Sequence, residues 1–241
     1  MKKIIVAIMA FALLNSCSSD AEVSELDAPS SDQLRQERLG DVLPRNSDNS
    51  FDLAGILHNE IAIKYYDRSS FPTTTSGIAM LIDSLANLRT DFLAIKGANY
   101  QGVPVQRIDY LIQHRDSCID RALQTTLISA RAQLKLRIFV NDLENLVQDD
   151  KDYSVIYSFI TLFESKVISD TLLSAKDKEV VLTTTSIARH SAFLKKKKPK
   201  RPRDPDWDWL TANVMSGTDG AAEGTAEAVT MAVVAGIADN D

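Results

Sequence analysis

Apolar residues recur at steps of three and four along most of the chain, which is the spacing of one helix face. Between Val105 and Lys198 the sequence contains no glycine and no proline. A sheet needs a turn about every 8–12 residues, and such turns usually use one of these two residues. The pattern therefore predicts an all-α fold, a bundle of about five or six helices over residues 51–194. The helical segments start near Leu53, Ile78, Val105, Leu127, Tyr153 and Val180.

Short polar signals mark where several of these helices begin and end. Asn49-Ser50 can cap the first helix, and Ser174 followed by Asp177 is similar to a capping box. A helix running from Val105 to Gln148 would be unusually long. We therefore expect a break near residues 124–126.

The segment from Tyr153 to Ile168 can be read in two ways, because it is rich in valine, isoleucine, tyrosine and phenylalanine, which favour strands. Its polar residues follow each other at spacings of four, three and four. That spacing forms one helix face, whereas a strand would alternate. The segment is therefore predicted to be a helix. The polar residues are Ser154, Ser158, Thr161 and Ser165.

Residues 195–206 form a basic linker that prolines interrupt. It carries seven cations within nine residues, and its first lysines also complement the negative end of the preceding helix dipole. The linker is either a solvated connection or an electrostatic contact with anionic lipid or an acidic partner. An acidic segment of the same molecule could also neutralise it. The cations are Lys195, Lys196, Lys197, Lys198, Lys200, Arg201 and Arg203.

Residues 207–241 form a tail that is rich in small residues and contains both tryptophans, Trp207 and Trp209. Small residues recur in it every four positions, which resembles a glycine zipper and lets another helix approach closely. Disorder, docking in a groove, self-association or a toxin-like action on membranes all remain open for this tail. Two acids just before its apolar part disfavour a membrane span. The recurring small residues are Gly220, Gly224, Ala228, Ala232 and Gly236.

The chain opens with a positive head and an apolar run from Ile4 to Leu14. A membrane-spanning helix needs about 20 apolar residues, so this run is too short and is typical of a secretory signal peptide. The next residues, Leu14-Asn15-Ser16-Cys17, resemble the lipobox of bacterial lipoproteins. The resemblance implies removal of residues 1–16 and attachment of lipid, palmitate included, to Cys17. Several acyl chains on one residue would hold the protein durably to a membrane.

Residues 17–50 are predicted to be a flexible, lipidated tether. Eight acids against three arginines follow the cysteine before residue 51, with few apolar residues. Ser18 directly after Cys17 resembles the outer-membrane sorting pattern of lipoproteins, and the acids resemble a surface-export signal. We therefore expect an outer-membrane lipoprotein that faces either the periplasm or the cell exterior.

Charge and cysteine content narrow the class of partner. The net charge of −6 becomes −8 once Lys2 and Lys3 leave with the signal peptide, which disfavours nucleic acid as a partner. Cys118 is the only other cysteine, so a lipidated Cys17 leaves no intrachain disulfide. Cys118 itself is expected to be a small buried packing residue.

No arrangement of residues forms a recognised catalytic motif, cofactor loop or metal-ligand spacing. The three histidines, His58, His114 and His190, are far apart in the sequence and are expected at the surface or the edge of the core. Arg115 falls on an inner helix face, where it either pairs with Asp83 or Glu164 or reaches past the core to water. The sequence therefore predicts a non-enzymatic protein without a cofactor or a resident metal.

Three stretches together resemble uncharacterised lipoproteins of Bacteroidota: residues 51–60, residues 186–192, and the Trp-Asp-Trp segment with its small-residue tail. The resemblance carries over no catalytic residue. We expect an interaction or structural module of the envelope that binds a protein partner or a membrane surface through residues 195–236. The alternative is a helical bundle with a ligand-binding or enzymatic site between helices, using one of the three histidines.

Overall fold

The computed structural model describes residues 42–197 and 206–239, with backbone alone at 115–118, 125, 197 and 206–209. These residues confirm the all-α prediction: the model is 74% helical, and no strand occurs in the described part. Ten helices are present there. Their bounds are α1 Asp52–Tyr66, α2 Thr75–Asn87, α3 Thr90–Ile95, α4 Val105–Gln113, α5 Arg115–Thr125, α6 Ala130–Gln148, α7 Tyr153–Ser169, α8 Ala175–Lys197, α9 Asp206–Ala221 and α10 Thr225–Ala238.

The predicted signal peptide, Cys17 and the tether up to residue 41 lie outside the described residues, and so do residues 198–205 of the basic linker. Where the bundle itself is described, the helices are more numerous than the predicted five or six. The segment from Ile78 to Ile95 divides into α2 and α3, and His114 separates α4 from α5. The other two additional helices, α9 and α10, come from the tail.

Local signals act as the sequence indicates at some helix ends, but the predicted cap at Asn49-Ser50 is wrong, because the N-cap of α1 is Phe51 and no side chain caps it. The expected break appears between Thr125 and Ala130, and residues 153–169 are helical. Ser174 and Asp177 exchange two hydrogen bonds, Asp177 N to Ser174 Oγ at 3.0 Å and Ser174 N to Asp177 Oδ2 at 2.9 Å. This is a reciprocal cap, and it satisfies backbone donors that the first turn of α8 would otherwise leave unpaired.

Helix α8 occupies the centre of the helical body and packs against α1, α7 and α9. Every residue from Val180 to Ala192 is buried, including a run of three threonines. A helix that is buried on all sides needs hydrogen-bond partners for each of its polar side chains. The polar residues of α8 therefore meet polar residues of its neighbours.

The separate tail predicted at residues 207–241 has to be corrected, because α9 and α10 belong to the same unit as the bundle. They form an antiparallel pair, and α10 also packs against α1 and α2. Residues 226–237 of α10 are all buried. The small side chains that suggested an outside partner are thus covered by other helices of this same chain.

Close backbone approach explains the glycine at position 220. A methyl group on Gly220 would lie 2.7 Å from the backbone nitrogen and Cα of Ala228, closer than packed atoms can come. Gly220 therefore lets the end of α9 and the start of α10 approach each other at their connection. The nearby Glu227 is almost completely covered, and burial raises the pKa of its carboxyl above the ordinary value.

Candidate functional site

Four ionisable side chains meet where α8 crosses α1 and α7. Arg189 and His190 come from α8, Asp52 from the first turn of α1 and Glu164 from α7. Arg189 and Glu164 have fully buried side chains, His190 is 3% exposed and Asp52 is 12% exposed. We call these four residues the charged cluster.

Arg189 joins the two carboxylates of the cluster. Its Nη1 forms an ion pair with Glu164 Oε1 and its Nη2 with Asp52 Oδ1, while Nε donates to the carbonyl oxygen of Pro44 at 2.6 Å. Each of the three guanidinium nitrogens thus binds an acceptor in a different segment of the chain. Removing one member of such a group leaves a buried charge without compensation, which is why these contacts depend on each other.

Glu164 receives further donors beside the guanidinium. Asn46 Nδ2 donates to Oε2 at 2.7 Å, and Asn49 Nδ2 donates to Oε1 at 2.7 Å. Thr185 Oγ1 donates to Oε1 at 2.9 Å. Both carboxylate oxygens of Glu164 therefore have partners although the side chain has no contact with solvent.

His190 extends the cluster towards α1. Its Nε2 lies 3.3 Å from Asp52 Oδ1, so the ring donates to a carboxylate that can only accept. Burial lowers the pKa of His190, against the hydrogen bond and charge of Asp52, which would raise it. Burial would raise the pKa of Asp52, but the hydrogen bond from His190 and the charge of Arg189 outweigh it and hold that pKa below its ordinary value. The pair is thus a neutral histidine beside an ionised aspartate.

A second polar chain starts at His58, which is fully buried on α1. Asn59 Nδ2 donates to the His190 carbonyl at 2.8 Å, which leaves Asn59 Oδ1 as the acceptor for His58 Nδ1 at 3.0 Å. His58 Nε2 lies 2.9 Å from the side-chain amide of Asn213 on α9. This chain connects α1, α8 and α9, and it reaches α8 through the backbone carbonyl of His190.

The polar chain contains the components of a nucleophilic triad, since Ser191 Oγ lies 3.4 Å from His58 Nε2 and Asn59 contacts the other ring nitrogen. All three side chains are buried among packed helices. A substrate would have to displace a helix to reach the serine. The arrangement is therefore suited to fixing helix positions and to holding protons in place.

Close packing accompanies these bonds where α1 crosses α8. A methyl group on Gly55 would lie 2.5 Å from the carbonyl oxygen of Ser186. Gly55 N donates to Ser186 Oγ at 3.0 Å, and the same hydroxyl donates to the Asp52 carbonyl at 3.0 Å. Because Gly55 has no side chain, α1 and α8 can approach each other closely near the charged cluster.

The expectation that all three histidines lie at the surface or the edge of the core is partly wrong. His58 and His190 are buried in the interior, and only His114 is exposed. Glu164 pairs with Arg189, and Asp83 accepts from Tyr100 at 2.7 Å, while the side chains of Arg115 and Cys118 lie outside the described part. Within residues 42–197 and 206–239 no three histidine, cysteine, aspartate or glutamate side chains are grouped so that they could hold a metal.

The predicted contact residues fall into three groups. Lys195 and Lys196 lie in the last turns of α8, where Lys196 Nζ pairs with Asp150 at 2.5 Å, and Lys197 ends the helix. Gly220 and Gly236 are buried, Gly236 against the side chain of Asn213, and Gly224 lies just before α10. Trp207 and Trp209 start α9, and their side chains are outside the described part. Lys198, Lys200, Arg201 and Arg203 also lie outside the described residues.

The carboxyl end of α8 and the first described residues of the chain are at the same end of the helical body. Tyr157 OH donates to the Arg45 carbonyl at 2.9 Å, and one turn earlier on α7 the ring of Tyr153 contacts Phe193 at 5.2 Å. Lys196 follows Arg189 by seven residues, about 10 Å along the helix. We call this end, which carries Lys195 and Lys196, the cationic end.

No family model matches the chain, and neither a curated protein nor a solved structure is found to be similar to it. Of the helices in the described residues, none combines the length and the apolar character that crossing a membrane requires.

Proposed function

We propose that the protein is a lipid-anchored helical module of the bacterial envelope that rests its cationic end on an anionic lipid surface. Lipid on Cys17 supplies the anchor, and the module acts as a structural or interaction component without catalysis. The observation that carries the proposal is the position of Arg45, beside the end of α8 where the seven cations begin. Arg45 and the carboxyl end of α8 therefore lie at the same end of the helical body.

The exposed apolar residues beside the tether support this orientation. Leu43 is 60% exposed and Val42 is 38% exposed, next to Arg45 at the same end. An apolar side chain among cations suits the boundary between headgroups and acyl chains. Bound in this way, the module would keep α7 and α8 upright over the membrane.

Opposing charge at this end is the main competing effect. The loop between α6 and α7 contains Asp149, Asp150 and Asp152 with a single lysine, and Asp150 is paired with Lys196. The seven cations of the linker exceed the net two negative charges of this loop, while the eight acids of residues 18–50 compete with lipid for the same cations. Near an anionic surface each remaining cation contributes about 1 kcal/mol.

Vesicle binding tests the lipid contact. Four linker cations are changed to glutamine in the lipidated protein: Lys195, Lys196, Lys200 and Arg201. Binding to phosphatidylcholine vesicles that contain phosphatidylglycerol should then weaken by about a thousandfold, since four contributions are lost. Binding to pure phosphatidylcholine should not change.

The control variant changes four cations at the opposite end of α7 and α8 and should bind like the wild type. Those cations are Arg131, Lys166, Lys176 and Lys178. An equal effect of both variants, or none from either, would reject the lipid contact. Incorporation of a palmitate analogue that persists after Cys17→Ser would separately reject the anchor.

A second candidate function rests on the pair of His190 and Asp52, because Asp52 keeps 12% of its side chain exposed. In this alternative the helical body binds or transforms a small ligand between α1 and α8. A ligand of this kind should raise the melting temperature of the wild type and leave His190→Gln unaffected. Equal shifts in both proteins would remove this candidate.

A further inference from the structure

Residues 44–49 lie across the charged cluster before α1 begins. The residues of this segment are not helical, yet they form five polar contacts with α7 or α8. Arg189 Nε and Tyr157 OH donate to the carbonyl oxygens of Pro44 and Arg45. We call residues 44–49 the latch.

Two asparagines provide the remaining contacts of the latch. Asn46 Nδ2 donates to Glu164, and Asn49 Nδ2 donates to both Glu164 and the Leu182 carbonyl, the latter at 3.0 Å. Towards α1, Asn46 N donates to Asp52 Oδ2 at 3.2 Å. The latch thus binds the same carboxylates that Arg189 binds.

Apolar burial contributes little to holding the latch. Within it Pro44 is buried, while Leu43, just ahead of it, is 60% exposed. The latch is therefore held mainly by hydrogen bonds, of which those to charged groups contribute more than the neutral ones. An opening that breaks only these bonds needs less free energy than unfolding the helices, whose apolar core would remain buried.

We propose that the latch opens as a unit while the helices stay folded, and that its opening exposes Arg189 and Glu164 to water. The segment continues directly into residues 17–41, so a pull on those residues reaches Pro44 and Arg45 before it reaches α1. The connection to a membrane rests on the proposed lipid anchor. The latch itself rests on the contacts of residues 44–49 alone.

Hydrogen exchange of the full chain in solution, followed by mass spectrometry, tests the latch without any membrane. Amides of Asn46, Asn49 and Asp52 should exchange at least tenfold faster than amides of residues 180–192. Asn49→Ala should accelerate the latch amides further by about ten- to a hundredfold and leave α8 unchanged, because the lost bonds include one to a buried charge.

Tyr157→Phe is a milder variant that removes only the bond to Arg45. It should accelerate the latch amides about fivefold. Asn87→Ala is the matched control, since Asn87 donates to the Asp83 carbonyl within α2 and should leave the latch unaffected. Latch and α8 amides that exchange at one common rate, in the wild type and in Tyr157→Phe, would overturn the proposal. Failure of vesicle binding would leave it standing.

Discussion

The charged cluster and the pair α9–α10 are both buried, yet they are stabilised in opposite ways. In the cluster, Arg189 is bonded to Asp52, Glu164 and a backbone carbonyl through directed contacts. In the helix pair, alanine and glycine bring two backbones together, as at Gly220 and Ala228. The cluster depends on every partner being present and charged. The helix pair requires that the side chains at the contact between α9 and α10 be no larger than a hydrogen atom or a methyl group.

The difference shows how one helical body can be both specific and well packed. Packing of small residues limits the volume of a side chain more than its chemical type. A buried ion pair instead limits the charge and the hydrogen bonds of a side chain more than its volume. Helix α8 lies between the two regions and contacts both. Substitutions that remove a charge should therefore destabilise mainly the charged cluster, and substitutions that add volume should destabilise mainly the pair α9–α10.

Arg189→Met should have the largest effect, because it leaves two buried carboxylates without their cation. We expect the free energy of unfolding to fall by about 3–5 kcal/mol. Urea denaturation followed by circular dichroism measures this loss. The control is Arg137→Met, at a half-exposed pair with Asp120, which should cost at most about 1 kcal/mol. A loss below about 1 kcal/mol for Arg189→Met would show that the cluster is not a stability determinant.

Gly220→Ala should have the next largest effect, since a methyl group would collide with the backbone of Ala228. Overpacking of this kind costs about 1–3 kcal/mol. Gly97→Ala is the matched control, because a methyl group there meets no atom within 4 Å. Thermal unfolding of both variants measures the difference, and equal melting temperatures would show that α9 and α10 can separate without cost.

Acid should weaken the charged cluster and spare the helix pair. Burial lowers the pKa of His190, so the unfolded chain takes up this proton first as the pH falls below the ordinary value of 6.5. The contribution of His190 to stability is complete above that pH and declines below it. The pKa of Asp52 is also lowered, so its contribution holds above 3.8 and is lost in stronger acid.

His190→Gln should therefore flatten the decline of the urea midpoint between neutral pH and the range where Asp52 titrates. His114→Gln, at an exposed site, serves as the control and should keep the wild-type profile. A His190→Gln profile parallel to that of the wild type would assign the acid sensitivity to other groups.

Thr183→Val and Ser216→Ala should have the smallest effects, and these should be neutral or stabilising by up to about 1 kcal/mol. Both hydroxyls are buried and find no hydrogen-bond partner among the described residues. Without the hydroxyl, the folded protein no longer contains a desolvated polar group that lacks a hydrogen bond, so the free energy of unfolding should not fall. Thr185→Val is the paired comparison and should destabilise, because Thr185 donates to Glu164. Destabilisation of similar size at Thr183 and Thr185 would contradict this distinction.

The helices of the bundle could be predicted from periodicity because it depends only on the local spacing of apolar residues. The reciprocal cap at Ser174 and Asp177 is equally local and is confirmed. The break at His114 has no glycine or proline to mark it. The position of the tail was missed for a related reason: small residues indicate a close helix contact, and the pattern does not say whether the other helix belongs to the same chain.

The charged cluster could not be predicted, because its members are far apart in sequence. Glu164 and Arg189 are separated by 25 residues, and Asp52 and Arg189 by 137. One signal was available: Arg189 follows the apolar pair Ile187-Ala188 inside a segment without any other charge from Val180 to Phe193. A lone arginine in such a segment indicates a buried cation with carboxylate partners elsewhere.

The central position of α8, α9 and α10 also decides when the molecule can complete its fold. His58 finds its partner Asn213 at a separation of 155 residues. A chain that emerges from its amino end must therefore carry α1 without its closing partners until almost all of the sequence is available. Contacts between such distant residues slow folding and leave apolar surface open to aggregation. Chaperones that shield the early helices should consequently act on this chain throughout its synthesis.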